Sequence, residues 1–210
     1  MKKITAIVLV MFTLFAFLAC TQSPNLKRFG YEVFNRDRWQ HPEEIISSLD
    51  IRIGNHVADL GSGSGYFTWH LAKAVGLTGQ VYAVDVDSAM IAYVFKLAGE
   101  KGYRNVETIL AEYDDPLLPE KGVSLIFTSN TYHHISDRIT YFANVMKYLR
   151  LGGHIAVIEY NGRGWFKRLG SHWTAKNVIV EEMVQAGYEL EKEFDLVPKQ
   201  SFLLFFAKGE

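Results

Sequence analysis

Cysteine is all but absent. The one residue of this type in the 210-residue chain, Cys20, excludes an internal disulfide and a cysteine-built metal site. An excess of positive charge is missing as well: 22 Lys and Arg against 23 Asp and Glu leave a formal net charge of -1. No strong field exists to gather a polyanion, so nucleic acid is not an expected partner. The seven histidines are scattered apart from His133-His134, and neighbours on a helix or strand point in different directions, so no metal is expected. Internal repeats and low-complexity tracts are also lacking. What the chain does have is apolar mass: 49% hydrophobic and 14% aromatic residues exclude a disordered chain and suit one globular domain with a substantial core.

The first residues stand apart. Lys2 and Lys3 precede an apolar run over 4–19, broken by Thr5 and Thr13 and ending at Ala19-Cys20 before a polar stretch. Basic start, short apolar core and small residue before the break are the parts of a secretory signal. The end of the run resembles a bacterial lipoprotein signal, with Cys20 as the lipidated residue, although Phe17 and Leu18 replace the usual leucine and small residue. An uncleaved membrane anchor is the rival reading. Sixteen helical residues reach about 24 Å, short of a hydrocarbon core of roughly 30 Å. A buried helix of the domain is the third reading. The expectation is a signal peptide or anchor over 1–20 and a linker with a lead-in segment over 21–41. One domain over 42–210 follows, associated with a membrane through the N-terminal segment.

From residue 57 the chain alternates β-rich runs with helical stretches, the pattern of a parallel sheet. Strands are expected at 57–60, 81–86, 106–110, 125–129 and 155–159, and helices at 67–75, 89–97, 138–149 and 178–186. A short helix opens at Pro42, and Gly76, Gly99 and Gly187 are expected at helix ends. The tail differs. Runs at 188–194 and 202–207 have no room for a helix between them and therefore pair antiparallel.

Asp59-Leu60-Gly61-Ser62-Gly63-Ser64-Gly65-Tyr66 reads as the end of a strand, a glycine-rich turn and a helix start. Glycines let the backbone turn sharply and approach a ligand, and the helix behind offers unpaired N–H groups. Asp85 stands 20 residues after Gly65, at the end of the next strand, where a carboxylate accepts both hydroxyls of a ribose. A dinucleotide fingerprint needs a third glycine where Tyr66 stands. That disfavours a nicotinamide-dependent oxidoreductase.

The spacing from Asp59 to Gly65 instead resembles the first motif of class I S-adenosylmethionine-dependent methyltransferases. The resemblance runs from Pro42 to the C-terminus. It implies an α/β fold: a Rossmann-like seven-stranded sheet with helices on both faces and an antiparallel C-terminal strand pair. It implies that Asp59, Gly61, Gly63 and Gly65 hold the methionine part of S-adenosylmethionine and that Asp85 holds the ribose. Glu112 and Tyr113, after the third strand, would flank the adenine. The turn before the fifth strand looks like Leu149-Arg150-Leu151-Gly152-Gly153. One departure is Ser124, where the family usually carries an acidic residue.

The loop after the fourth strand, Ser129-Asn130-Thr131-Tyr132-His133-His134-Ile135, faces the cofactor in such folds and lacks the Asn/Asp-Pro-Pro-Tyr sequence of nucleic-base and glutamine methyltransferases. It looks like the loop of small-molecule enzymes, including those acting on quinones and sterols. His133 or His134 is a candidate general base, or else packs or caps the next helix. Glu159, ending the fifth strand, is a third catalytic candidate, or a structural acceptor. Tyr31, Phe34, Trp39, Trp165, Phe166 and Trp173 suit a lid over a small, apolar or aromatic acceptor. The expected activity is methyl transfer to such a molecule. The alternative is a non-catalytic cofactor-binding or structural envelope protein, since an exported domain would meet little S-adenosylmethionine.

Overall fold

The computed structural model describes residues 36–162 and 173–207. The readings of 1–20 as signal or anchor, most of the 21–41 linker, and Tyr31, Phe34, Trp165 and Phe166 lie outside the described residues. The chain divides into two compact units, Met1–Trp39 and Gln40–Glu210. The division falls inside the short helix α1 (Arg36–Gln40), a helix where the sequence reading places linker. Among the described residues, no helix is long and apolar enough to cross a membrane.

The second unit is built on seven strands: β1 (His56–Leu60), β2 (Gln80–Asp85), β3 (Val106–Leu110), β4 (Val123–Ser129), β5 (Leu149–Tyr160), β6 (Tyr188–Phe194) and β7 (Gln200–Ala207). They form one sheet in the order β3-β2-β1-β4-β5-β7-β6. The first five run parallel, and β7 is antiparallel to both β5 and β6. This is the Rossmann-like sheet expected, with its antiparallel tail. Helices α2 (Pro42–Ser47), α3 (Tyr66–Val75), α4 (Ser88–Lys101), α5 (Arg138–Val145) and α6 (Lys176–Gln185) complete the unit. The chain runs outward from β1 to β3, then returns to place β4 on the other side of β1. Ligands bind outside the carboxyl ends of strands at such a reversal.

Side-chain alternation along the strands fills two cores. Val57, Phe127, Ala156 and Ile158 face one side with Phe67, Leu71 and Val75 of α3. Ala58, Ile126, Ile155 and Val157 face the other with Phe142 of α5 and Ile179 and Met183 of α6. Period-two geometry sends neighbouring residues to opposite faces, and covering both faces explains why the central strands are continuously apolar.

Three boundaries differ from expectation by four residues or more. Gly99 lies inside α4 rather than at its end: the helix continues to Lys101, and Gly102, at φ 75°, ends it. A Cβ at Gly99 would meet nothing within 4 Å, so no packing contact breaks the helix there. The helix expected over 138–149 stops at Val145 and closes in a 3₁₀ turn, Met146–Tyr148. The fifth strand then starts at Leu149, because Leu149 already pairs with Val123 before the register shifts.

Asp115 fastens the chain after β3 to the far side of the domain. Its carboxylate accepts from Asn144 Nδ2 at 3.1 Å, Lys147 Nζ at 3.0 Å, the Tyr148 hydroxyl and the Leu117 N–H at 2.8 Å. Burial alone would raise this carboxyl. The bonds from Tyr148, Leu117, Lys147 and Asn144 outweigh it and hold the group well below the usual carboxylate range. The contribution is therefore present above the unfolded value of about 3.9 and is lost as pH falls through the lower folded value. Asp115→Asn is expected to lower the urea midpoint at neutral pH, and its gap from the parent protein should close as the pH is taken below about 4. A gap that does not change with pH would contradict this.

Candidate cofactor and methyl-transfer site

The carboxyl ends of β1, β2, β4 and β5 carry the site. After Leu60 the chain turns through Gly61, Gly63 and Gly65 at φ 75°, 52° and 84°, a backbone region that side chains disfavour. The Gly61 and Ser62 N–H groups both donate to the Val84 carbonyl, at 2.8 and 3.0 Å, pinning the turn to the end of β2. Asp85 closes the arrangement. One carboxylate oxygen accepts the Gly63 N–H at 2.8 Å, and the other accepts the Asp87 N–H at 2.9 Å. A carboxylate offers about four lone-pair positions, so two remain for ligand hydroxyls. A Cβ on Gly61 would fall 2.1 Å from Thr131 Oγ1, so the turn after β1 and the loop after β4 touch.

That second loop begins at Asn130, at φ 56°. Its N–H donates to the Ile158 carbonyl at 2.8 Å, and its side-chain oxygen accepts from Gln200 Nε2 at 2.8 Å. Gln40 Nε2 in turn donates to Gln200 Oε1 at 3.1 Å and Ser129 Oγ at 3.3 Å. Next comes the 3₁₀ turn Tyr132–His134. His133 Nδ1 lies 2.9 and 3.0 Å from the two oxygens of Glu159. The carboxylate is fully buried and also accepts the His133 and Tyr160 backbone N–H groups, at 3.2 and 2.9 Å. With Nδ1–H donating to Glu159, the lone pair of the ring sits on Nε2. The ring of His134 lies 4.1 Å from that of His133, centre to centre.

The turn is held from behind. The Tyr132 hydroxyl donates to Glu182 Oε2 at 2.9 Å, and Arg138 grips both Glu182 oxygens at 2.7 Å. Hydrogen bonding from Arg138 keeps the Glu182 carboxyl below its ordinary value, while burial raises the Tyr132 hydroxyl well above its own. Among the described residues, no group of three or more His, Cys, Asp or Glu stands together as a metal site would require.

Residues 57–153 match the methyltransferase domain family. The chain is 27% identical over 123 residues to the ubiquinone/menaquinone biosynthesis C-methyltransferase of Pseudoalteromonas translucida, covering 56% of this chain and 47% of that protein. It is 30% identical over 134 residues to the aklanonic acid methyltransferase of Streptomyces sp. strain C5, covering 64% and 59%. The chain thus spans about half the length of these relatives. Its fold is similar to that of an S-adenosylmethionine-dependent methyltransferase from Aquifex aeolicus, with TM-score 0.80, 22% identity and 88% and 98% of the two chains covered.

S-adenosylmethionine is the cofactor of this domain type, and the residues present fit it. Ser62 Oγ is buried in the glycine turn with no hydrogen-bond partner, and a Cβ on Gly63 would meet nothing within 4 Å, which leaves room against the backbone. Asp59 is 3% exposed and accepts the Thr68 hydroxyl at 2.6 Å, so it ties the turn to α3. Glu112 and Tyr113 follow β3, where the Ala111 N–H donates to the Asp85 carbonyl, and Tyr113 is 85% exposed. Trp173 lies against Gly162, two residues beyond β5: a Cβ there would fall 2.6 Å from its ring. Ser124, in the position where an acid is usual, donates to the His56 carbonyl at 2.9 Å at the opposite end of β4.

Gln40, Gln200, Arg138 and Glu182 escaped the sequence reading. Their bonds join positions 160, 70 and 44 residues apart, and no local pattern announces them. The glycine turn makes a graded prediction. Gly63→Ala should cost about 1–2 kcal/mol, the left-handed penalty alone. Gly61→Ala adds a collision with Thr131 and should cost about 2–4 kcal/mol. Thermal or urea unfolding of the two variants checks this, and equal losses would contradict it.

Proposed function

We propose that the protein transfers a methyl group from S-adenosylmethionine to a small apolar or aromatic acceptor that arrives carrying a proton on its nucleophilic atom. The observation that carries this reading is the His133–Glu159 pair, which joins the loop that touches the glycine turn to the end of β5. S-adenosylmethionine supplies a methyl carbon activated by a sulfonium, open to in-line displacement. Asp85 and the turn from Gly61 to Gly65 bind and orient it. Asp59 is a positioning residue in this scheme, and Glu112, Tyr113 and Asn130 lie at the adenine and methionine edges. His133 would take the acceptor's proton on Nε2, freeing the acceptor's lone pair for the methyl group that S-adenosylmethionine would supply. Glu159 holds the ring with Nδ1–H inward and stabilises the imidazolium that forms. His134 lies beside it, ring against ring.

The acceptor class draws support from three directions. A proton-bearing hydroxyl or activated carbon needs a base of this kind, whereas an unprotonated amine does not. The relatives are named for ubiquinone/menaquinone biosynthesis and for aklanonic acid. Trp173 adds an aromatic wall beyond β5.

The test is label transfer from methyl-tritiated S-adenosylmethionine to a panel of hydroquinones and phenols. Methylation of at least one is expected. His133→Gln should lower the rate about 10²–10⁴-fold while leaving cofactor affinity unchanged. A His133→Gln enzyme as fast as its parent would remove His133 from the chemistry, and no transfer to any member would sink this acceptor class.

A further inference from the structure

A cavity lies at the opposite edge of the sheet from that site, where the parallel strands begin. It holds about 420 Å³ and is bounded by the α2–β1 connection, the starts of β4 and β5, and β6. That volume falls within the range of small-molecule sites. His154, on its wall, and Glu159, in the methyl-transfer site, are five residues apart on β5. The two sites are therefore separated by about 16 Å of strand.

Two sheet irregularities form its lining. Between Val123 and Leu125, β5 runs from Leu149 to His154, so Arg150 and Gly152 bulge out of the ladder. In β6, Leu190 and Lys192 face consecutive residues of β7, which leaves Glu191 as an extra residue. Bulges redirect side chains out of the regular ladder, and Arg150, Glu191 and Lys192 all line the cavity.

The polar groups of the wall can be accounted for one by one. Each of its carboxylates has one partner: Asp50 Oδ2 the Arg52 guanidinium at 3.2 Å, Glu191 Oε2 the His154 ring at 2.7 Å. Its serine protons are used: Ser48 donates to the Ile45 carbonyl and Ser124 to the His56 carbonyl. The side-chain oxygen of Asn55 accepts the Arg52 N–H at 3.0 Å, which leaves the Asn55 amide protons. Arg150 has no carboxylate partner among the described residues, and Lys192 has only the Phe194 ring, 4.6 Å from Nζ. The donors without a carboxylate partner are thus two cations and an amide, beside the lone pairs that Asp50 and Glu191 keep. Leu49, Leu125 and Phe194 supply apolar wall beside them. Two cations without a carboxylate partner, with an amide donor beside them, suit an oxyanion.

We propose that this cavity is a second binding site, for a small organic anion. Its phosphate or carboxylate is held by Arg150, Lys192 and the Asn55 amide, and its apolar body lies on Leu49, Leu125 and Phe194. The test uses phenyl phosphate and benzoate, titrated by calorimetry into the full-length protein. The same titrations are run on Arg150→Ala/Lys192→Ala and on Asn55→Asp. The aspartate keeps the acceptor for Arg52 and replaces the donor with a charge of the wrong sign. Saturable binding of at least one probe is expected, at least tenfold weaker in both variants, with cooperative thermal unfolding retained. The tighter probe identifies phosphate or carboxylate as the natural head group. If the double variant does not unfold cooperatively, Asn55→Asp decides alone. No saturable binding of either probe to the parent protein, or unchanged affinity in the folded variants, would overturn the proposal.

Discussion

The Asp85 carboxylate is the point on which the site depends. With one oxygen on the Gly63 N–H and the other on the Asp87 N–H, it joins the turn after β1 to the start of α4. It does so from the last residue of β2. A free glycine turn has many conformations, and fixing each residue costs roughly 1–2 kcal/mol in backbone entropy. A charge-assisted bond to the middle of the turn offsets part of that cost. The same carboxylate keeps lone pairs beyond its two backbone bonds, so the group that shapes the turn also has acceptors to spare.

The sheet order explains why everything converges there. Because β4 returns to lie beside β1, the turn at Gly61 and the loop at Thr131 are neighbours although they are 70 residues apart. The pairing of β4 with β5 then brings Ile158 and Glu159 under that loop. Its conformation is fixed by the Asn130 bond to the Ile158 carbonyl and by the His133 bonds to Glu159. Arg138, Glu182 and Tyr132 close the arrangement from the α6 side. Histidine, buried carboxylate and glycine turn are thereby held by strands and by side-chain networks, which suits a reaction that depends on positioning.

Much of this is legible along the chain because it is written in short-range patterns. The order of strands and helices follows from periodicity, and the turn and Asp85 follow from spacing. Gly99 shows the limit of such reading: glycine signals a helix end only when nothing else continues the helix, and here the end is Gly102. His133 and Glu159 are separately visible as candidates, whereas their bond, across 26 residues, is a product of the β4–β5 pairing. The chain from Gln40 through Gln200 to Asn130 leaves no trace in sequence, because uncharged amides have no periodicity and their partners are set by tertiary packing. The cavity around Arg150 and Lys192 depends on two bulges, which a pattern of alternating residues does not encode.

The central claim is that this domain holds S-adenosylmethionine through the Asp85 carboxylate at the glycine turn. Calorimetric titration of the cofactor into the parent protein and into Asp85→Ala tests it most directly. Micromolar binding by the parent, lost in a variant that still folds, is the result the account predicts. No binding by the folded parent protein, or equal binding by both, would contradict it.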